Sequence, residues 1–380
     1  MTPRVMLKLA LLTNPAGIIG TVAPAFVNAF VASGMSIALA SRMAAAEFFA
    51  MATTLLLAPL LVRRMDRRVI AIVSLAGAVL GQLLSLSTDS AAFILGCRVV
   101  AGAGEGALFA VAVATLSAAP SPERAFGMVI LSNQGAGTLL LAVIAWLATL
   151  SPANAALWVA GGFIAIHAVF IPALPRTSGG QDSRRRADSD PAAPAFIPIL
   201  CGLGGMAFLS AGFGLVWPMV GQIGLAANIS SDVLTTTLSV VGLGGIGGGL
   251  AATVAGSRFG DQWPVLFGTV AMALCMPLLA SQLFAVAAVL TLFFWAFNLP
   301  YFLGFLAKVD KGGGLAVLTS AMIPFGIAAG QLVAGPLVQS VGIAGIAPAG
   351  SLAVVGALAL KLVGSRLIRG SSDVASTAAD

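Results

Sequence analysis

The sequence predicts an all-α integral membrane protein, with twelve transmembrane helices in two pseudo-symmetric six-helix bundles. Three observations predict it. Hydrophobic residues make up 59% of the chain and charged residues 8%, against about 25% charged in an ordinary soluble domain, and mean hydropathy is +1.04. A soluble globule cannot hide that much apolar surface. The charge-poor stretches have room for twelve helices of about 20 residues each. Only one connection, near the middle, is both long and charged.

In chain order, residues 9–41 hold the first span. Arg4 and Lys8 ahead of it imitate a signal peptide, but eleven more spans follow, so residues 9–33 read as a retained helix. Residues 43–62 hold the second span, interrupted by Glu47, and 69–88 the third. The fourth, within 90–122, contains Arg98 and Glu105. Residues 125–175 have room for two spans and a hairpin at Ser151-Pro152. Residues 191–231 and 233–257 supply one span each, and 262–307 and 312–360 two each. These unbroken Ala-, Leu- and Gly-rich runs lack the alternating polarity of β-barrel strands.

The segment 175–194 is too polar to fold alone and reads as a cytoplasmic linker. It separates an N-terminal bundle, 1–174, from a C-terminal bundle, 195–370, with a cytoplasmic tail at 371–380. With both termini cytoplasmic, every Lys and Arg except Arg42 and Arg98 falls on the inner side. The net charge of +6 is then a topogenic signal, with no nucleic-acid partner implied. Arg184, Arg185 and Arg186 could also meet anionic lipid. Glycines four apart, such as Gly102 and Gly106, Gly244 and Gly248, Gly245 and Gly249, and Gly326 and Gly330, allow helix backbones to approach closely. Pro24, Pro218, Pro277, Pro300 and Pro324 fall inside spans, where each removes a backbone donor.

Several classes are excluded. Three apolar-flanked cysteines, Cys97, Cys201 and Cys275, make neither a disulfide framework nor a zinc cage. The single His167 rules out multi-histidine chemistry. No phosphate-cradling loop for ATP and no clustered catalytic loop residues are present, so an enzyme is not expected, and neither is a cofactor.

The string Ile94-Leu-Gly-Cys-Arg98-Val-Val-Ala-Gly102-Ala-Gly104-Glu105-Gly106 resembles the fourth-helix motif of the major facilitator superfamily. The connection ending Asp66-Arg67-Arg68 resembles that superfamily's short basic loop, and Arg258 to Asp261 resembles its repeat in the second half. Pro59 replaces the loop's usual first glycine. The resemblance implies a monomeric secondary transporter of small molecules in a bacterial inner membrane, working by alternating access, with Asp66, Arg67, Arg68, Arg258 and Asp261 in gating loops. It further implies that spans one, four, seven and ten line a central cavity. Drug–proton efflux is an alternative, although span five lacks the usual Gly-Pro pair. So is lipid or lysolipid carriage, because Arg98 to Glu105 also resembles a motif of lysolipid carriers.

Ionisable groups inside spans are costly, at least ~2.5 kcal/mol each at mid-helix, and point to function. Glu47, Arg98, Glu105 and His167 are the four read from the sequence, all in the first half. Glu47 and Arg98 match in depth and are expected to pair; Arg98, Gly102 and Glu105 share one helix face. Glu105 is the candidate proton switch, tuned by Arg98 and Glu47, with H⁺ or Na⁺ as the coupling ion. His167 is expected to be a satisfied structural histidine. The charge-free second half would recognise ligand through Trp217, Gln222, Trp295, Asn298 and Tyr301, joined by Asn28 and Arg98. Such a set suits an amphipathic or monoanionic organic solute. Asn133, Gln134 and Gln331 are weaker candidates.

Overall fold

The computed structural model describes residues 1–88, 90–116, 119, 122–148, 155–176, 196–256, 258–260, 262–309 and 316–377. Residues 177–194 of the charged linker, the Ser151-Pro152 pair and Asp261 lie outside the described residues. Apolar helices form twelve spans in two bundles of six. In the first half, span one is built in pieces, Pro3–Leu11, Asn14–Gly17 and Ile19–Ala32, broken near Pro15. It is followed by Ile37–Arg64, Arg67–Leu84, Ala91–Leu116, Pro122–Ala148 and Ala155–Ile166, the last continued as a 3₁₀ turn to Ala173. In the second half, span seven runs Phe196–Val216, Trp217–Met219 and Val220–Ala226, and span eight Ser231–Val240 and Gly242–Ala255. Gln262–Leu278, Phe284–Val309, Ala316–Val341 and Ile346–Thr377 complete the set. The last helix therefore continues past residue 370.

Glycine explains how closely these helices pack. On span four, Gly102 and Gly106 lie against the span-two backbone at Glu47 and Met51, while Gly104 lies against Ser74 and Ala78 of span three. The alternating glycines thus open two faces of one helix, and span four is clasped between its neighbours. Gly244 and Gly248 meet Val289 and Phe293 of span ten, and Gly326 and Gly330 meet span seven at Ala207, Ser210 and Ala211.

Pro218 breaks span seven for a specific reason. It has no N–H to give the carbonyl of Gly214 four residues earlier. The side-chain amide of Gln331, from span eleven, donates to that carbonyl instead.

The halves meet at the end remote from Arg64, Arg67 and Arg68, here the far end. Gln222 donates to Asn28 Oδ1 at 2.9 Å, Gly335 packs on Ala38, and the Trp217 indole N–H donates to the Thr21 carbonyl at 3.2 Å. Towards the opposite, basic end a cavity of about 380 Å³ lies between the halves.

These contacts predict unequal tolerance of two adjacent glycines. Gly248→Val, whose added carbons would meet the Phe293 backbone, should destabilise by about 1–3 kcal/mol. Gly249→Ala has nothing within 4 Å and should melt within a degree or two of the wild type. Thermal melting of the detergent-purified protein decides it.

Candidate functional site

Two features of the interior carry polar chemistry. The first is a buried cluster within the N-terminal half. Arg98 Nη2 forms an ion pair with Glu47 Oε1, as their matched depth suggests. Arg98 Nη1 donates to Gln82 Oε1 at 2.9 Å. The Gln82 amide nitrogen in turn donates to Glu47 Oε1 at 3.0 Å and Glu105 Oε1 at 3.2 Å. The guanidinium also lies 5.3 Å from the Phe26 ring centroid of span one. Arg98 and Glu105 are 0% exposed and Glu47 2%. Glu105 Oε2 is buried with no hydrogen-bond partner.

Span four positions this cluster because Gly102 admits the Glu47 backbone, carrying the Glu47 carboxylate to Arg98 one turn away. Gln82 was not singled out by the sequence reading. The available signal was an amide in a span whose other residues beyond Arg68 are apolar or small, at a depth matching Arg98.

The second feature is the cavity. Its walls come from spans one, two, four, five, seven, ten and eleven. Phe48, Met51, Phe109, Phe213 and Trp295 make it largely apolar, and Thr21, Asn133, Gln134 and Ser320 are its polar members. None of the described lining residues is charged.

Of the substrate-contact residues expected from sequence, Trp295 alone lines this cavity. Span ten turns about 100° per residue, so Trp295, Ala296, Leu299 and Leu303 form the cavity face. Asn298 and Tyr301 point elsewhere. Asn298 is buried against Thr269 Oγ1, at 3.4 Å, and Met272. The Tyr301 hydroxyl reaches the Ala252 carbonyl of span eight. The i, i+3 relation of Trp295 and Asn298 was too coarse, because Trp295 stands at one edge of the wall, which runs on through Leu299, Leu303, Ala296 and Pro300, and Asn298 falls about 60° beyond that edge. Asn28, Trp217 and Gln222 lie in the far-end contact, and Arg98 is sealed in the cluster. Asn133 and Gln134, ranked lower, line the cavity.

Glu105 is likewise off the cavity, enclosed by spans two, three and four. It nevertheless sits one turn from the cavity-lining Phe109 on the same helix face, as Glu47 does from Met51.

The loop residues act as staples. Asp66 caps span three by accepting from the Arg68 and Val69 backbones. Arg67 donates to Thr115 of span four at 3.1 Å. Arg68 donates to the Leu174 and Pro172 carbonyls, both at 2.7 Å, at the end of span six. Arg258 is exposed after span eight. His167 is buried between Phe163 and Phe170, with Nδ1 2.8 Å from the Phe163 carbonyl.

The second half also departs from the charge-free expectation. Lys361 is 2% exposed, with its ammonium 5.7 Å from the rings of both Phe302 and Phe305. Its long apolar stem and the aromatic faces let a lysine sit within the bundle.

The Major Facilitator Superfamily model matches residues 9–210, just over half of the chain. Among solved structures, the nucleoside transporter NupG superposes with a TM-score of 0.73 at 13% identity, over 95% of this chain and 99% of that one. The human organic anion transporter MFSD10 (TETRAN) superposes with a TM-score of 0.64 at 17% identity, over 95% and 100%. At such identities the likeness is one of fold. No curated protein matches the chain in sequence.

The ion pair makes a stability prediction. Glu47→Ala breaks the direct ion pair and leaves only Glu105, reached through Gln82, to balance the buried Arg98 charge, and should cost up to about 3–5 kcal/mol. Replacing both by Met removes the uncompensated charge and should recover most of that loss. Melting temperatures of the purified single and double variants provide the comparison, and a double variant no more stable than Glu47→Ala would contradict it.

Proposed function

The chain belongs to the major facilitator superfamily and is a multi-pass membrane transporter, and from that premise we propose that it is a proton-coupled secondary transporter of a small amphipathic organic solute. It works by alternating access across a bacterial inner membrane, with both termini cytoplasmic. In this orientation the basic end faces the cytoplasm, and the bundles are closed on the outer side.

The observation that carries the reading is the cavity between the two halves, with the carboxyl-bearing faces of spans two and four one turn from its wall. The cavity accepts the solute. Its apolar and aromatic lining, uncharged among the described residues, supports an amphipathic cargo over a monoanionic one.

Coupling rests on charge balance. Arg98 offsets one carboxylate, whereas two ionised carboxylates in the cluster would leave an uncompensated buried charge, costing at least ~2.5 kcal/mol at mid-span on insertion scales. One proton held by Glu47 and Glu105 removes that charge. The partnerless Oε2 of Glu105 is a suitable place for it. Opening the far end would part spans one and two from seven and eleven and give the cluster a route to outside water. The gain or loss of that proton would then bias which end is open.

In proteoliposomes, Glu105→Gln should abolish uphill solute accumulation driven by an imposed pH gradient, by tenfold or more, while solute exchange at equal pH persists. Unchanged dependence on the gradient would remove Glu105 from the mechanism.

A further inference from the structure

The two sides of the cavity differ in chemistry. On the second half, Trp217, Phe213 and Trp295 form one stack. Phe213 lies 5.7 Å from Trp217 at 12° and 4.1 Å from Trp295 at 9°. Phe213 is therefore the middle ring. The end ring Trp217 is fixed by its bond to the Thr21 carbonyl across the bundle interface. The other end ring, Trp295, lines the cavity.

On the first half, the hydrogen-bonding side chains are Thr21, Asn133 and Gln134. The Thr13 hydroxyl donates to the Ala10 carbonyl at 2.6 Å and lies 3.1 Å from the Asn133 amide, whose two N–H groups leave at least one to donate. The Gln134 side-chain amide has no hydrogen-bond partner among the described residues, so it can both donate and accept.

We propose that the cavity selects a flat, uncharged heteroaromatic ring with adjacent hydrogen-bond donor and acceptor groups, stacked as the next ring beyond Phe213 and Trp295 and met at its edge by Asn133 and Gln134. This inference rests on the reading of the cavity as the transport site and names the chemical class carried. A flat ring continues a parallel stack in offset contact, the arrangement aromatic pairs prefer. A lactam-like edge suits the amides, because its N–H finds the Gln134 carbonyl and its C=O an amide N–H. A charged ligand would enter without a counter-ion, since no described lining residue is charged. A polyhydroxylated solute would leave many groups unpaired against an apolar wall.

Isothermal titration of the purified full chain tests this with three probes of similar size. Carbostyril is a flat bicyclic lactam, its fully saturated analogue keeps the lactam but loses the aromatic ring, and quinaldate is flat but anionic. Carbostyril should bind at least tenfold more tightly than either of the others. Trp295→Phe should retain most of that preference and Trp295→Leu should lose it.

Equal binding of carbostyril and its saturated analogue, equal binding of quinaldate, or no binding of carbostyril would each overturn the proposal. If the Trp295 variants do not fold, the ranking on the unaltered protein decides by itself. Flux through the unaltered protein that ignores an imposed pH gradient would strike the coupling reading alone, because equilibrium binding does not depend on it.

Discussion

The N-terminal half is organised around the ion pair between Arg98 and Glu47. A guanidinium buried in a membrane-spanning bundle requires a counter-charge and acceptors for its remaining N–H groups. Gln82 accepts from Nη1 and the ring of Phe26 lies beside the guanidinium, while Nε has no hydrogen-bond partner among the described residues, so one side chain on span four ties spans one, two and three to it. The pair can form only because Gly102 lets the span-two backbone come close at Glu47. Packing and electrostatics are therefore not separable here, since the glycine sets the distance at which the charges meet.

Glu105 stands at the edge of this arrangement. Gln82 ties it to the pair, yet its second oxygen has no partner, an expensive condition for a buried carboxyl. The orphaned atom, one turn from the cavity wall, is the physical basis for reading the cluster as part of a proton-coupled cycle. The second half has partnerless buried atoms too, at Ser210, Thr291 and Gln331 Oε1. Gln331 repairs the backbone defect made by Pro218, and Lys361 rests among aromatic rings. The far-end contact is then built from amides and an indole, with no ion pair among the described residues there.

Comparison of particular residues shows how far the sequence could be read. Depth counted along spans two and four placed Glu47 opposite Arg98, because rise per residue is nearly constant and both spans run the same way. The glycine pairs on spans four, eight and eleven marked close approaches for a similarly local reason. The cavity wall was harder. Trp295 was legible as a large aromatic in a cavity helix, but Asn298, Tyr301, Asn28 and Gln222 looked equally plausible. Polar residues in a span face a cavity, a neighbouring helix or the opposite bundle, and one-dimensional spacing does not separate these. Gln82 was missed because an uncharged amide gives no cost signal as sharp as a charge.

The sequence by itself determined the membrane environment, the number of spans and the division into two halves, because these follow from summed hydropathy, length and charge placement. They are additive along the chain and need no knowledge of neighbours. Only the tertiary structure decided which face of each helix meets the cavity, that Arg98 and Glu105 are shut away from it, and that the halves touch at one end. Those outcomes depend on helix rotation and tilt, which are fixed by contacts between residues as distant in sequence as Gln331 and Gly214 or Trp217 and Thr21.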